Sequence, residues 1–396
     1  MAGVLDGIRV LDFGRYIAGP FCAALLADLG AEVIRIERIG GGEDRPFIPV
    51  GAGPEGGGAM FLAMNRNKLG MTLDPGSAKG REIVKRLVAT ADVVVANLPP
   101  QVLRALELDL DSLRRTKPDI ILTTVTGFGD GGPLSHKHGF DGIGQAMSGA
   151  VYLSGTPEQP VVAKVAWVDF GTATLSAFGT LAALLERGKS GRGQKVEGAL
   201  LRTAIAYMNA TLIEQALTGV DRVAIVNRGF NSAPADYFRT TDGWIVATVI
   251  GQPMFRRWAK MIGEDHWLSD PRFADDQSRA DNGEVIAARM REWCRARSCA
   301  EALAALEAAS IVAGQVYSPQ QALDDAHIRA AGLLAEVAYP GIETTLPLAP
   351  TPIELSGTPG AYRRPAPLLG EHTELILAQL GYGAAEIAVL REERVI

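Results

Sequence analysis

Asp169 is the residue of this chain best placed for chemistry. It is the single acidic residue in an apolar stretch that runs from Val161 past Leu184. Carboxylates are seldom taken out of water, because desolvating one is costly unless partners compensate. A proline-free, helix-like segment, Gly171 to Glu186, follows it. Asp169 is therefore expected at the N-cap or in the first turn of a mostly buried helix, where backbone N–H groups and the helix dipole would keep it ionised. Two roles fit that position. One is a plain helix cap; the other is a poorly hydrated, ionised nucleophile.

Other candidate groups narrow the chemistry. Of the five histidines, only His136 and His138 are close in sequence, and their i, i+2 spacing has no evident third ligand. A metal site is not expected there; a loop histidine that hydrogen-bonds a substrate is. The turn Gly127-Phe128-Gly129-Asp130-Gly131-Gly132-Pro133 follows a strand, but its glycines miss the dinucleotide spacing and Pro133 replaces the start of a helix. No GxxxxGK[ST] loop and no Gly-x-Ser-x-Gly elbow occurs. Nicotinamide, flavin, P-loop and serine-hydrolase chemistries are unsupported.

The elements that must position these groups alternate. Val- and Ile-rich strands are expected at 8–13, 32–37, 71–73, 92–96, 119–126 and 194–197. Helices are expected at 20–29, 77–90, 101–106 and, as one long element, 199–218. That order predicts the α/β class, a large Rossmann-like domain with a parallel sheet wrapped by helices. Residues 40–58, rich in Gly and Pro, read as a surface or active-site loop. From Phe230 the texture changes. A hairpin over 237–248 around Asp242-Gly243, then amphipathic helices, suggest a smaller α+β domain at about 226–325. A Pro-rich tail ends in a helix at 373–380.

Composition agrees with an enzyme-sized globular chain of 396 residues, 47% hydrophobic and 21% charged. A net charge of −6 without a Lys/Arg block argues against nucleic acid as partner. Cys22, Cys294 and Cys299 form no CxxC pair, which predicts neither disulfides nor zinc and points to a reducing, cytoplasmic setting. The segment Met1–Arg15 lacks the apolar core of a signal peptide. No apolar run of about 20 residues without polar interruption is read, so no membrane association is expected.

Eight segments in order then resemble one family. They are Leu5–Asp12, Ala18-Gly19-Pro20, Leu26–Glu37, Asn65-Arg66-Asn67-Lys68 with Leu73-Asp74, and Gly127-Phe128-Gly129 with Gly132-Pro133. Gly139-Phe140-Asp141 with Gln145–Gly149, Gly191–Gln194, and Leu369–Thr373 complete the set. Over nearly its whole length the chain is similar to the class III CoA-transferases, the family of formyl-CoA and carnitine CoA-transferases.

The resemblance implies that Asp169 is the catalytic nucleophile, forming an aspartyl-CoA thioester by way of a mixed anhydride. It implies CoA contacts at Ile17, Ala18, Arg38, Leu73, Asn97, Leu98, Arg104, His138, Gly139, Phe140 and Asp141. An active-site loop with Gly251 and Gln252, borne by the small domain, is implied to cover the site. Ile17 stands where oxalate-using members carry glutamine, which suggests a less polar or larger acyl group. The implied architecture is an interlocked homodimer. Its large domain comprises 1–225 completed by a return segment, 326–396. Acyl-CoA and a carboxylic acid are the expected substrates, with no tightly bound cofactor and no metal. Two alternatives are an α-methylacyl-CoA racemase, for which Phe140 stands where racemases carry a histidine base, and a non-catalytic CoA-binding protein.

Overall fold

The structure, a computed structural model, describes residues 3–51 and 55–396. Residues 52–54 of the expected loop and the first two residues of the N-terminal segment lie outside the described residues. The chain forms two compact units. The larger comprises 1–150, 162–220 and 329–396, and the smaller 151–161 and 221–328.

The large unit is built on six parallel strands: β1 (Arg9–Asp12), β2 (Glu32–Glu37), β3 (Lys68–Thr72), β4 (Val93–Ala96), β5 (Ile121–Thr126) and β6 (Lys195–Ala199). Their order is β3-β2-β1-β4-β5-β6. In register, Leu11 faces Ile34 on one side and Val94 on the other. Strands buried on both faces need apolar residues at successive positions, as Val93-Val94-Val95 provides. The strand order reverses between β1 and β4, and ligands of such sheets bind beyond the carboxyl ends of the strands at that reversal.

Before its tail, which carries helices at Thr373–Gln379 and Ala384–Glu392, the helices of this unit are α1 (Ala18–Asp28), α2 (Ala59–Met64), α3 (Ala78–Thr90), α4 (Pro100–Ala105), α5 (Leu110–Thr116), α6 (Asp141–Met147), α7 (Trp167–Ser190), α8 (Leu200–Tyr207) and α9 (Asn209–Thr218). On one face of the sheet, Cys22, Ala23 and Leu26 of α1 pack with Ala173, Ala177 and Ala183 of α7 over Val10, Val95 and Ile121. The small side chains let these helices lie close. On the other face, Ile83 and Leu87 of α3 join Ile376 and Leu377 of the tail over Leu11, Ile34 and Met71. His372 N–H donates to the Gly70 carbonyl and Asp74 N–H to that of Val395, so the tail is tied back to the sheet.

Several expectations are corrected. The strand read at 71–73 spans Lys68–Thr72. The helix carrying Asp169 starts at Trp167, four residues before Gly171. The long helix 199–218 is two helices, broken at Met208, whose ψ of 0 opens the helical ladder between them. By length and composition α7, with a mean hydropathy of 1.4, is long and apolar enough to cross a membrane. Its Val168, Thr172, Ala173, Ser176, Ala177, Thr180 and Ala183 are buried within the unit.

In the small unit, β7 (Ala235–Arg239), β8 (Trp244–Thr248) and β9 (Val312–Gln315) form an antiparallel sheet, with Trp244 opposite Arg239 across the Asp-Gly turn. Phe238 and Ile245 pack under Phe255 and Trp258 of α10 (Gln252–Ile262) and under Ile286 and Met290.

Candidate active site

Beyond the carboxyl ends of β1, β4 and β5 lies a cavity of about 260 Å³. The loop after β1 contributes Arg15, Tyr16, Ile17 and Ala18. The loop after β4 contributes Asn97 and Leu98, and the segment 135–140 contributes His136, Lys137, His138, Gly139 and Phe140. Asp169 opens into the same space. Eight residues named from sequence (Ile17, Ala18, Asn97, Leu98, His138, Gly139, Phe140 and Asp169) thus line one cavity.

A second hollow, of about 70 Å³, shares Arg15 and Leu98 with the first and brings in Arg38 and Leu73. Arg38 is exposed. Its Nε donates to the Gly41 carbonyl at 2.6 Å and its guanidinium pairs with Glu43 at 3.0 Å. Arg104 is exposed on α4 and lines neither hollow.

The loops owe their course to buried polar groups. Asn97 spends both ends of its amide on the backbone of Arg15: Oδ1 accepts from the N–H and Nδ2 donates to the carbonyl, each at 2.7 Å. It therefore shapes the loop that lines the cavity. Lys68 is fully buried and donates to Asp12 Oδ2 (2.7 Å), the Pro20 carbonyl (2.8 Å) and Asn65 Oδ1 (2.9 Å). Asp12 Oδ1 accepts from Gly14 N–H, and Arg35 donates to the Gly14 carbonyl, each at 2.7 Å. Burial would raise the Asp12 carboxyl, but Lys68 and Arg35 outweigh it and hold it below the usual range. Tyr16 sits at a φ of 60°, costly for a bulky residue. Its ring meets Phe140 edge-on at 5.9 Å.

Two glycines bring the 127 and 139 loops together. A Cβ on Gly127 would fall 2.8 Å from the nitrogen of Gly139. Only two residues without side chains approach that closely, and the approach carries His138 and Phe140 to the cavity wall.

Asp169 lies in the first turn of α7, yet it does not cap the helix. Asp141 Oδ1, from the first turn of α6, accepts from the N–H groups of Val168 (2.8 Å) and Asp169 (3.2 Å). Among the described residues, no donor reaches the Asp169 carboxylate. Burial, aided by the nearby charge of Asp141, pushes its pKa up to about 7. The expectation that helix N–H groups keep Asp169 ionised is thereby overturned: a different carboxylate has taken them. Asp141 itself stands behind the wall as a cap and does not line the cavity.

Tyr16, Arg15 and Lys137 were not singled out in the sequence; only the strained φ and the fold bring them in. Gln145, one turn after Asp141, is a buried member of the same assembly. Gly251 and Gln252 belong to the small unit. Gly251 N–H donates to both oxygens of Asp276 (3.0 and 2.9 Å), and Gln252 Oε1 accepts from the buried Arg279 at 2.7 Å. Among the described residues, no group of three His, Cys, Asp or Glu side chains could hold a metal ion.

A cavity at the reversal point of a doubly wound sheet, with a half-buried carboxylate on its wall, defines an α/β enzyme site. Residues 5–373 match CoA-transferase family III, and the chain belongs to that family of CoA-transferring enzymes. It is 34% identical to the succinate–glutarate CoA-transferase of Agrobacterium fabrum over 387 residues, 95% of either chain. It is 33% identical to the succinyl-CoA–D-citramalate CoA-transferase of Chloroflexus aurantiacus over 396 residues, 99% of this chain and 98% of that one. Among solved structures, a CAIB/BAIF family protein from Brucella suis superposes with a TM-score of 0.85 at 30% identity, covering 96% of this chain and 100% of that one.

Proposed function

We propose that this enzyme moves CoA from an acyl-CoA donor to a free carboxylic acid, with Asp169 as the covalent relay. The observation that carries the reading is the Asp169 carboxylate, half-buried, without a protein donor, and open to the cavity. Asp169 attacks the thioester carbonyl, releasing CoA thiolate and leaving a mixed anhydride. The thiolate then attacks the aspartyl carbonyl, releasing the donor's acid and leaving an aspartyl-CoA thioester. The acceptor acid runs the two steps in reverse. A pKa of about 7 makes Asp169 more basic than an ordinary aspartate while leaving much of it ionised near neutrality.

CoA is assigned to the two adjoining hollows, with Leu73 and Leu98 as apolar contacts and Arg38 at the rim for phosphate. Ile17, Ala18, His138, Gly139 and Phe140 face the reacting end. The loop at Gly251 and Gln252 is read as its cover, and Asn97 and Asp141 as supports. For the donor, succinyl-CoA is the first choice, since the two relatives above carry succinate or succinyl-CoA in their names.

The same reading includes an interlocked homodimer and a cytoplasmic setting. Rows of exposed apolar side chains on α7 and α9 support the first: Phe178 is 69% exposed and Leu217 81%. Three free cysteines support the second. The test is to incubate the purified protein with a panel of acyl-CoAs and carboxylic acids and identify products by mass. New acyl-CoAs must appear with the protein and not with Asp169→Ala. Exchange of the α-hydrogen of a 2-methylacyl-CoA with deuterated solvent, without transfer, would make it a racemase.

A further inference from the structure

Asp141 and Asp169 are two carboxylates within interacting distance, and the fold treats them oppositely. Asp141 has its oxygens occupied: Oδ1 by the N–H groups of Val168 and Asp169, and Oδ2 by the side-chain amide of Gln145. A carboxylate engaged by three N–H donors is held as an acceptor. Gln145 is itself fixed. Its Oε1 accepts from Ala163 N–H at 3.0 Å, and its Nε2 lies 3.4 Å from the Ala163 carbonyl. One side of α6 thus grips both the segment entering α7 and the first turn of that helix. Gly144 sets the closeness, since a Cβ there would lie 2.9 Å from Val168 Cγ1.

The consequence for Asp169 follows from charge. The N–H groups that would stabilise its anion are spent on Asp141, and Asp141 adds a like charge nearby. Both effects penalise the ionised form alone. Neither acts on the mixed anhydride or on the thioester, because Asp169 carries no charge in those states. We propose that Asp141 is a positioning residue that caps α7 in place of Asp169 and, by its negative charge, drives Asp169 toward its uncharged acyl forms. The inference rests on the reading of Asp169 as the acyl acceptor. The step it favours is balanced: aspartate anion plus acyl-CoA gives aspartyl-CoA thioester plus the free carboxylate of the donor acid. One negative charge leaves the buried site with the departing acid.

Other titratable groups lie on the elements around Asp169. Arg15, from the loop after β1, and His136, Lys137 and His138, ahead of α6, line the same cavity. On α8, Arg202 is paired with Glu197, and Tyr207 stacks on Trp167 at 5.9 Å. These are unchanged when Asp141 alone is altered, so a difference between variants reports the loss of its charge together with the hydrogen bond it accepts from Gln145.

The experiment follows the covalent adduct by intact mass. Full-length protein is incubated with acetyl-, propionyl- or succinyl-CoA from pH 5.5 to 8.5, and the species heavier by CoA less one water is quantified. Asp141→Asn keeps an oxygen for the two helix N–H groups and removes the charge. Asp141→Ser removes the charge with a shorter, hydroxyl acceptor, and serves if the first variant fails to fold. In the unaltered protein, adduct formation should rise with a midpoint near pH 7. In the variants the midpoint should move acidward by about one unit or more. The adduct fraction at a fixed ratio of acyl-CoA to acid should fall about tenfold per unit. A pH curve that superposes on that of the unaltered protein overturns the proposal, as does a midpoint below about 5 in the unaltered protein. Absence of any adduct on Asp169 with all three thioesters would instead overturn the reading of Asp169 as acyl acceptor.

Discussion

Asp141 Oδ1 lies 2.8 Å from the backbone nitrogen of Val168 and 3.2 Å from that of Asp169, so the helix that presents Asp169 is capped by a different carboxylate. Capping and nucleophilicity are competing uses of one side chain. A carboxylate that accepts helix N–H groups is stabilised as an anion and blunted as a base. Here the two duties fall to two residues 28 positions apart.

Asp169→Asn should abolish CoA transfer, lowering turnover by at least about 10³-fold. It should also stabilise the fold at alkaline pH. The folded pKa of about 7 lies above the unfolded value near 3.8, so the native state binds the extra proton. Stability is therefore lost as pH rises from about 4 through about 7, by an amount on the order of 4 kcal/mol. Thermal melts at pH 5 and pH 8 check this: the gap between variant and unaltered protein should be wider at pH 8.

Much of this site was legible in the sequence. Val- and Ile-rich runs such as Val93-Val94-Val95 announced the strands, but the order that brings the loops after β1, β4 and β5 together came only from the structure. Asp169 stood out because a lone acid in an apolar run requires an explanation. The capping by Asp141 was not legible, since a through-space hydrogen bond between two helices leaves no local pattern. Asn97 was read as a ligand contact for a related reason. Its side chain faces the site, but its hydrogen bonds go back into the protein, and type and position do not separate those cases. Arg104 is a charge at the expected register on a helix that presents it to solvent, outside both hollows.

Asn97→Ala should weaken acyl-CoA binding through the loop it holds. It removes two hydrogen bonds to Arg15, each worth about 1 kcal/mol. A fall in melting temperature together with a raised KM is expected. Asn97→Asp keeps the acceptor and loses the donor, and should fall between. A raised KM with an unchanged melting temperature would make Asn97 a direct ligand contact.

Gly127→Ala places a methyl group 2.8 Å from the nitrogen of Gly139. Backbone cannot yield as a flexible side chain does, so the 135–140 segment must shift. A cost of about 1–3 kcal/mol in stability and a raised KM for acyl-CoA are expected. Gly131→Ala, at a position with open space around its Cβ, tests the alternative that any change in this turn is harmful. Its positive φ carries a smaller, purely local penalty, and KM should be close to that of the unaltered protein.

Lys68→Met probes the buried charges that hold the loop after β1. It strips Asp12 of an ion-pair partner at 2.7 Å and leaves the Pro20 carbonyl without its donor. Breaking a buried pair on one side costs about 3–5 kcal/mol, chiefly because the remaining charge has no partner. Arg35, 3.8 Å from Asp12, absorbs part of that cost and puts the expectation at the lower end. The double variant Asp12→Asn with Lys68→Met should be less destabilised than the sum of the two single changes, as measured by urea unfolding. Simple additivity would mean that Lys68 acts through Pro20 and Asn65 rather than through Asp12.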